Sequence, residues 1–205
     1  MIIYKDITFT FGETNLFDHF NYEIQSGEHV CIAGKSGVGK STLINMLLGF
    51  LTPDSGEIRV DNQTLTVDTL QSIRSKILWL PQDINLPFHS VREMLNFPYT
   101  LKVNRKLSFN EDKALQLFDQ LGLDRVLINH DISQISGGQK QRIAFISGIM
   151  AGKDIVLLDE PTAALDPDST IRMGEFIKGL KDVTVLAISH DERFAAFFDR
   201  TLLLK

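Results

Sequence analysis

A chain of 205 residues, 43% hydrophobic and 23% charged, has the make-up of one ordinary globular domain, with enough length for a real core and an inserted subdomain. Its formal net charge of -5 gives no general attraction to nucleic acid, and no apolar run approaches the ~20 residues needed to span a bilayer. The Met1–Asp6 stretch lacks a signal peptide's apolar segment, and a single cysteine, Cys31, rules out an internal disulfide and fits the cytosol.

Ile3 to Phe11 alternates polar and apolar residues and predicts a strand. A turn is expected at Gly12-Glu13-Thr14-Asn15, then a second alternating stretch from Phe17 to Ile24. Phe11, an aromatic ring at the end of an early strand, is placed either to stack on an adenine base or to fill the core as Phe9 does. Ser26-Gly27-Glu28 turns the chain into His29-Val30-Cys31-Ile32-Ala33, a β-rich run that reads as a buried strand with Cys31 as a packing residue.

Gly34-Lys35-Ser36-Gly37-Val38-Gly39-Lys40-Ser41-Thr42 then fits the pattern Gly-x-x-x-x-Gly-Lys-Ser/Thr. Apolar residues at helical spacing follow, through Leu48, so strand, glycine loop and helix come in the order a phosphate-binding loop needs. The glycines admit backbone conformations closed to residues with a Cβ, which lets successive N–H groups point inward as an anion nest. The helix N-terminus adds its dipole. Lys40 is expected to bridge the β- and γ-phosphates and Ser41 to ligate Mg²⁺, so nucleotide binding is the reading.

Thr52–Gly56 is turn chemistry, followed by a β-pattern at Glu57–Val60 and a turn at Asp61-Asn62. Leu70 to Lys76 reads as a short helix and Ile77–Leu80 as a strand. Gln82, at that strand's carboxyl end, lies where α/β sheets bind ligands, placed to ligate Mg²⁺ or hold a water. From Ser90 to Asn129 the pattern is helical. Ser90 caps a helix from Val91, which Pro98 is expected to interrupt. Ser108-Phe109-Asn110-Glu111 has capping-box spacing, ahead of an apolar face (Ala114, Leu115, Leu117, Phe118, Leu121) that stops at Gly122.

Ser136-Gly137-Gly138-Gln139 opens a further helix and forms a second anion site; two such sites in one domain suggest that two copies share each nucleotide. Ile155–Leu158 is a fully apolar strand of the kind found inside parallel sheets, ending in Asp159 and Glu160. Asp159 is expected to hold Mg²⁺ through its water shell and Glu160 to polarise the attacking water. A helix is expected near Ser169–Leu180, then a buried strand at Val183–Ile188 ending in Ser189-His190-Asp191, with His190 placed to donate to the γ-phosphate. His19, His29, His89 and His130 read as surface or structural.

Together these elements resemble the ATPase subunit of ABC (ATP-binding cassette) transporters across nearly the whole chain. The matching segments are Walker A (Gly34–Ser41), the Q-loop glutamine (Gln82), the signature (Ser136–Gln139), Walker B (Ile155–Asp159), the catalytic glutamate (Glu160), the D-loop (Ala163–Asp166) and the switch histidine (His190). Phe11 stands at the adenine-stacking position, where tyrosine is commoner. The resemblance implies an α/β fold: a P-loop NTPase (RecA-like) core with an N-terminal antiparallel β subdomain and an inserted α-helical subdomain. A single cassette is expected over 1–205, with the core and β subdomain at 1–83 and 141–205 and the helical subdomain at 84–140.

It also implies a head-to-tail dimer that traps two ATP·Mg²⁺ between the Walker A of one copy and Ser136/Gly138 of the other. Separate membrane permease subunits are the expected partners, on the inner, cytoplasmic face of the membrane. Leu86, Phe88 and Phe97 are candidates for the groove that receives them, with core packing as the other reading. Leu95-Asn96-Phe97-Pro98 and the compact length are similar to small bacterial ATPases linked to metal (iron) export. Ala163 replaces a frequent serine, Ser147 a common arginine and Lys153 a common proline. The family's usual C-terminal strand and regulatory domain are expected to be missing after Lys205. The rival class is a soluble ABC ATPase of DNA repair, chromosome structure or translation, disfavoured because no coiled coil, zinc hook or second cassette is present. A nucleotide kinase would share the P-loop but leave Ser136–Gln139 without a role.

Overall fold

The computed structural model describes every residue except Asn85 and Leu86, so the expectation for Leu86 lies outside the described residues. Strands β1 (Ile2–Phe11), β2 (Thr14–Ile24), β4 (Ser55–Val60) and β5 (Gln63–Thr64) form an antiparallel sheet in the order β2-β1-β4-β5. Strands β3 (His29–Gly34), β6 (Ile77–Leu80), β7 (Ile155–Asp159), β8 (Thr184–Ile188) and β9 (Arg200–Leu204) form a parallel sheet in the order β6-β7-β8-β3-β9. The helices are α1 (Lys40–Leu47), α2 (Leu70–Ser75), α3 (Val91–Thr100), α4 (Glu111–Gln120), α5 (Gly137–Met150), α6 (Pro167–Lys178) and α7 (Glu192–Ala195).

The parallel sheet separates two hydrophobic cores, and its strands feed both. In β7, Ile155 and Leu157 join a core with Ile2, Phe17 and Leu43, whereas Val156 and Leu158 join one with Met94, Phe118 and Phe145. The neighbouring β8 alternates likewise: Leu186 and Ile188 on the first side, Val185 and Ala187 on the second. Burial on both faces is why these strands are continuously apolar. Parallel register brings Ile32 of β3 and Asp159 of β7 level with Ile188 of β8, so three carboxyl ends open on one edge, where such sheets bind ligands. Cys31 is fully buried in β3, and desolvation pushes its thiol up to about 12. His29 is also buried, and its Nε2 has no hydrogen-bond partner among the described residues.

The boundaries differ from expectation where a local signal had a competitor. Strand β2 begins at Thr14, leaving only Gly12-Glu13 in the turn, and the short β5 carried no sequence signal. Asn110, not Ser108, caps α4: its Oδ1 accepts from the Lys113 N–H at 2.9 Å, and Glu111 reaches Arg92 instead of closing a box. Helix α6 starts at Pro167, earlier than Ser169, because Asp166 accepts from both the N–H and the hydroxyl of Ser169 and Pro167 suits a first helical position.

Helix α3 is not interrupted at Pro98; it runs to Thr100. Proline has no N–H for the carbonyl four residues back, which is that of Met94. The buried Ser147 hydroxyl of α5 donates to that carbonyl at 2.8 Å, so the helix passes through the proline with its freed acceptor satisfied. Lys153 reaches across the same region, donating at 2.8 Å to both the Ser75 carbonyl and Asn104 Oδ1. Ser147 and Lys153 thus tie α3 and the turn after it to the rest of the protein.

Candidate nucleotide site

The loop between β3 and α1 is built on glycines that tolerate no substitute. Gly34 has φ +151, and a Cβ there would sit 2.6 Å from the Leu204 carbonyl oxygen. Gly39, the residue before α1, has φ +101, and its Cβ would meet the Phe17 ring at 2.8 Å. The loop is therefore wedged between β9 and β2. Lys40 is buried and folds back, its Nζ donating at 2.9 Å to the carbonyls of both Gly34 and Lys35. An ammonium is thus already held inside the concavity where phosphate charge would collect.

Phe11, Ser36, Gly37, Gly39, Lys40, Ser41, Thr42, Gln82, Asp159, Glu160 and His190 all line one cleft of about 350 Å³. Phe11 is 67% exposed at its rim, which excludes the core-packing alternative. Ser41 Oγ lies 3.4 Å from Asp159 Oδ1. Burial raises the Asp159 carboxyl above its ordinary range, opposed by the Ser41 hydroxyl and the Lys40 charge. Glu160 is raised by burial too, against the influence of His190. Glu160 has φ +48, a left-handed conformation outside β7, and its N–H bonds the Ile188 carbonyl at 3.0 Å. Its carboxylate receives the His190 N–H at 3.3 Å and lies 3.1 Å from His190 Nε2. The tips of β7 and β8 are thereby locked together.

Ser136 to Gln139 line neither this cleft nor the adjoining one at Thr162 and Arg193, so one chain does not bring its two anion sites together. Ser136 caps α5 in a capping box: its Oγ accepts from the Gln139 N–H at 3.2 Å, and Gln139 Oε1 accepts from the Ser136 N–H at 2.8 Å. Gln139 is occupied in the cap, while the Ser136 hydroxyl proton and the N–H groups of Gly137 and Gly138 have no acceptor among the described residues. Gly138 is close-packed: a Cβ would sit 2.6 Å from the Ala164 carbonyl oxygen and 3.2 Å from Leu165 Cδ2.

Two contributors had escaped the sequence reading. Gln141, buried in α5, donates from Nε2 to the Glu160 backbone carbonyl at 3.2 Å, joining the helix behind Ser136 to the main chain that carries the carboxylate. Arg142, also buried, holds the carbonyls of Gly138 and Leu121, at 3.3 and 2.9 Å. Neither has a motif spacing that would mark it, because both end the polar run Gln139-Lys140-Gln141-Arg142 and nothing in that run singles them out.

On the other side of Gln82 is an apolar groove of about 530 Å³ lined by Leu78, Trp79, Pro81, Phe88, Phe97 and Leu101, among others. The Phe88 and Phe97 rings pack on each other with centroids 5.1 Å apart, and Phe97 remains 41% exposed. Pro81 and Asp83 line this groove while Gln82 between them lines the nucleotide cleft, so one tripeptide touches both. No helix among the described residues is long and apolar enough to cross a membrane.

The family described as ABC transporter matches residues 17–163. An ergothioneine transport ATP-binding protein of Helicobacter pylori, EgtV, is 32% identical over 201 residues, spanning 95% of this chain and 92% of that protein. An uncharacterized ABC transporter ATP-binding protein of Methanocaldococcus jannaschii, MJ0796, is 34% identical over 219 residues, spanning 100% and 93%. A dimeric, post-hydrolysis structure of that cassette bound to ADP and Pi is similar at a TM-score of 0.84 and 30% identity, over 100% of this chain and 94% of that one.

Proposed function

The chain belongs to the ABC transporter family as an ATP-binding, ATP-hydrolysing subunit, and we propose that it works as a head-to-tail pair, with a second copy or a paired cassette, that shares two ATP molecules across its interface. Phe11 stacks on the adenine and the N–H groups of residues 34–42 hold the phosphates. Lys40 exchanges its loop carbonyls for β- and γ-phosphate oxygens. Ser41, Asp159 and Gln82 offer oxygen donors only, few in number and with Ser41 and Asp159 adjacent, which suits Mg²⁺ with its retained waters. When bound, that ion offsets phosphate charge. Glu160 takes the proton of the attacking water or orients it, and His190, already beside Glu160, contacts the γ-phosphate. Ser136, Gly137 and Gly138, with Gln139 fixing the cap, close on the nucleotide of the other copy.

The observation that carries this reading is that Ser136–Gln139 presents unused donors yet lines no part of its own chain's cleft. We assign 84–140 as the helical subdomain and 1–83 with 141–205 as the core and β subdomain. The groove at Phe88 and Phe97 is the seat of a separate permease subunit, which places the chain on the cytoplasmic face of the membrane. The test is the association state of a Glu160→Gln variant by size exclusion: ATP should drive it to a dimer, and Ser136→Arg should prevent that. Full-rate hydrolysis by a strictly monomeric form would overturn the proposal.

A further inference from the structure

The connection from α3 to α4 departs from the acidic character of the chain. No carboxylate side chain occurs between Glu93 and Glu111, and Lys102, Arg105 and Lys106 fall close together there. All three are exposed, and none has a carboxylate partner among the described residues. Interleaved with them, Leu101, Val103 and Leu107 are 40%, 58% and 44% exposed. Water is an unfavourable neighbour for three apolar side chains held out in this way.

The stretch is held in shape. Asn104, its buried residue, donates from Nδ2 to the Pro98 carbonyl at 2.8 Å and accepts from Lys153 at 2.8 Å. The N–H groups of Asn104 and Leu107 bond the carbonyls of Leu101 and Asn104, at 2.9 and 2.8 Å. One inward anchor therefore turns the cations and apolar side chains outward together, and little ordering entropy remains to be lost on contact. Leu101 also lines the apolar groove, so the two surfaces are continuous.

We propose that residues 101–107 rest on the anionic bilayer surface beside the permease. Lys102, Arg105 and Lys106 meet lipid phosphates, and Leu101, Val103 and Leu107 enter the headgroup boundary. The orientation rests on the groove being the permease seat, since that seat is what turns this edge toward the membrane. Charges farther than about 8 Å from the surface are largely screened at physiological salt, so the three cations at the contact weigh more than the chain's net charge of -5. Each cation near an anionic leaflet favours contact by about fivefold, and three together by on the order of a hundredfold.

The experiment is sedimentation of the purified chain with sucrose-loaded vesicles of phosphatidylcholine, with and without phosphatidylglycerol. Binding is expected only with phosphatidylglycerol and should fall as salt rises. The combined variant Lys102→Gln/Arg105→Gln/Lys106→Gln should lose on the order of a hundredfold in partition with unchanged ATP hydrolysis in solution, and Val103→Asp should also weaken binding. Lys178→Gln/Lys181→Gln, removing exposed lysines elsewhere, should bind as the native chain does. The proposal is overturned if native protein ignores phosphatidylglycerol at low salt, if the triple variant binds equally well, or if the control variant loses as much. Phe97→Ala separates the two readings, since it removes the aromatic ring of the groove without adding charge: it should abolish permease assembly and leave vesicle binding intact. Were it to block assembly while the native chain showed no vesicle binding, the groove would stand and the membrane contact would fall.

Discussion

Ser147→Ala tests how α3 carries a proline without breaking. The hydroxyl removed is buried and donates at 2.8 Å to the Met94 carbonyl, which Pro98 leaves without its helical donor. Alanine leaves a buried acceptor unpaired, a loss of about 1–3 kcal/mol, with a small cavity adding to it. Urea unfolding should show a lower midpoint at an unchanged slope. Pro98→Ala restores the N–H that would bond Met94, so it should rescue Ser147→Ala by more than it alters the native chain, with an interaction energy of about 1 kcal/mol in the double-mutant cycle. ATP affinity should not change, because neither side chain lines the cleft. A loss within about 0.3 kcal/mol for Ser147→Ala, or an additive cycle, would refute the reasoning.

Glu160→Gln should retain ATP binding and lose about 10²–10⁴-fold in turnover; phosphate release at the native rate would remove Glu160 from its assigned role. Glu160 acts as a base when ionised, and burial holds its carboxyl above the ordinary range, so the rate at saturating ATP should fall on acidification at a higher pH than a free glutamate would dictate. The stability effect has the opposite sense. The folded state holds this proton, and that of Asp159, more tightly than the unfolded chain, so both groups cost stability as pH rises from the unfolded to the folded pKa. Glu160→Gln should relieve its share above that window, and urea midpoints across pH that show no relief would reject the assignment. Gly138→Ala should force the Ala164 carbonyl away from a Cβ otherwise 2.6 Å distant, costing about 1–3 kcal/mol and the ATP-dependent dimer. A native melting temperature together with a native dimer would count against it.

Much of this was legible because the signals were local. The glycine loop, the apolar strands that precede Asp159 and His190, the Ser90 cap and the helix opened at Ser136–Gln139 each follow from a few adjacent residues, and each stands where its spacing put it. What escaped was decided by neighbours remote in the chain. Pro98 read as a helix breaker because nothing nearby announces that Ser147 will serve Met94. The spacing pointed to Ser108 as the cap, and only the packed structure puts Asn110 in that place. The role of Gln141 depends on a carbonyl that arrives from a different strand. Phe11 was undecidable until its exposure was known.

The alternation along β7 has a consequence for damage to this protein. All four residues ahead of Asp159 are hydrophobic and each face is filled by aliphatic side chains, so oil and water do not police its alignment. A slip by one position would exchange similar side chains between compartments and leave bulk cohesion nearly intact. It would also carry Asp159 about 3.3 Å along and to the opposite side. Such an error would keep the oily character of both compartments and still silence the motor.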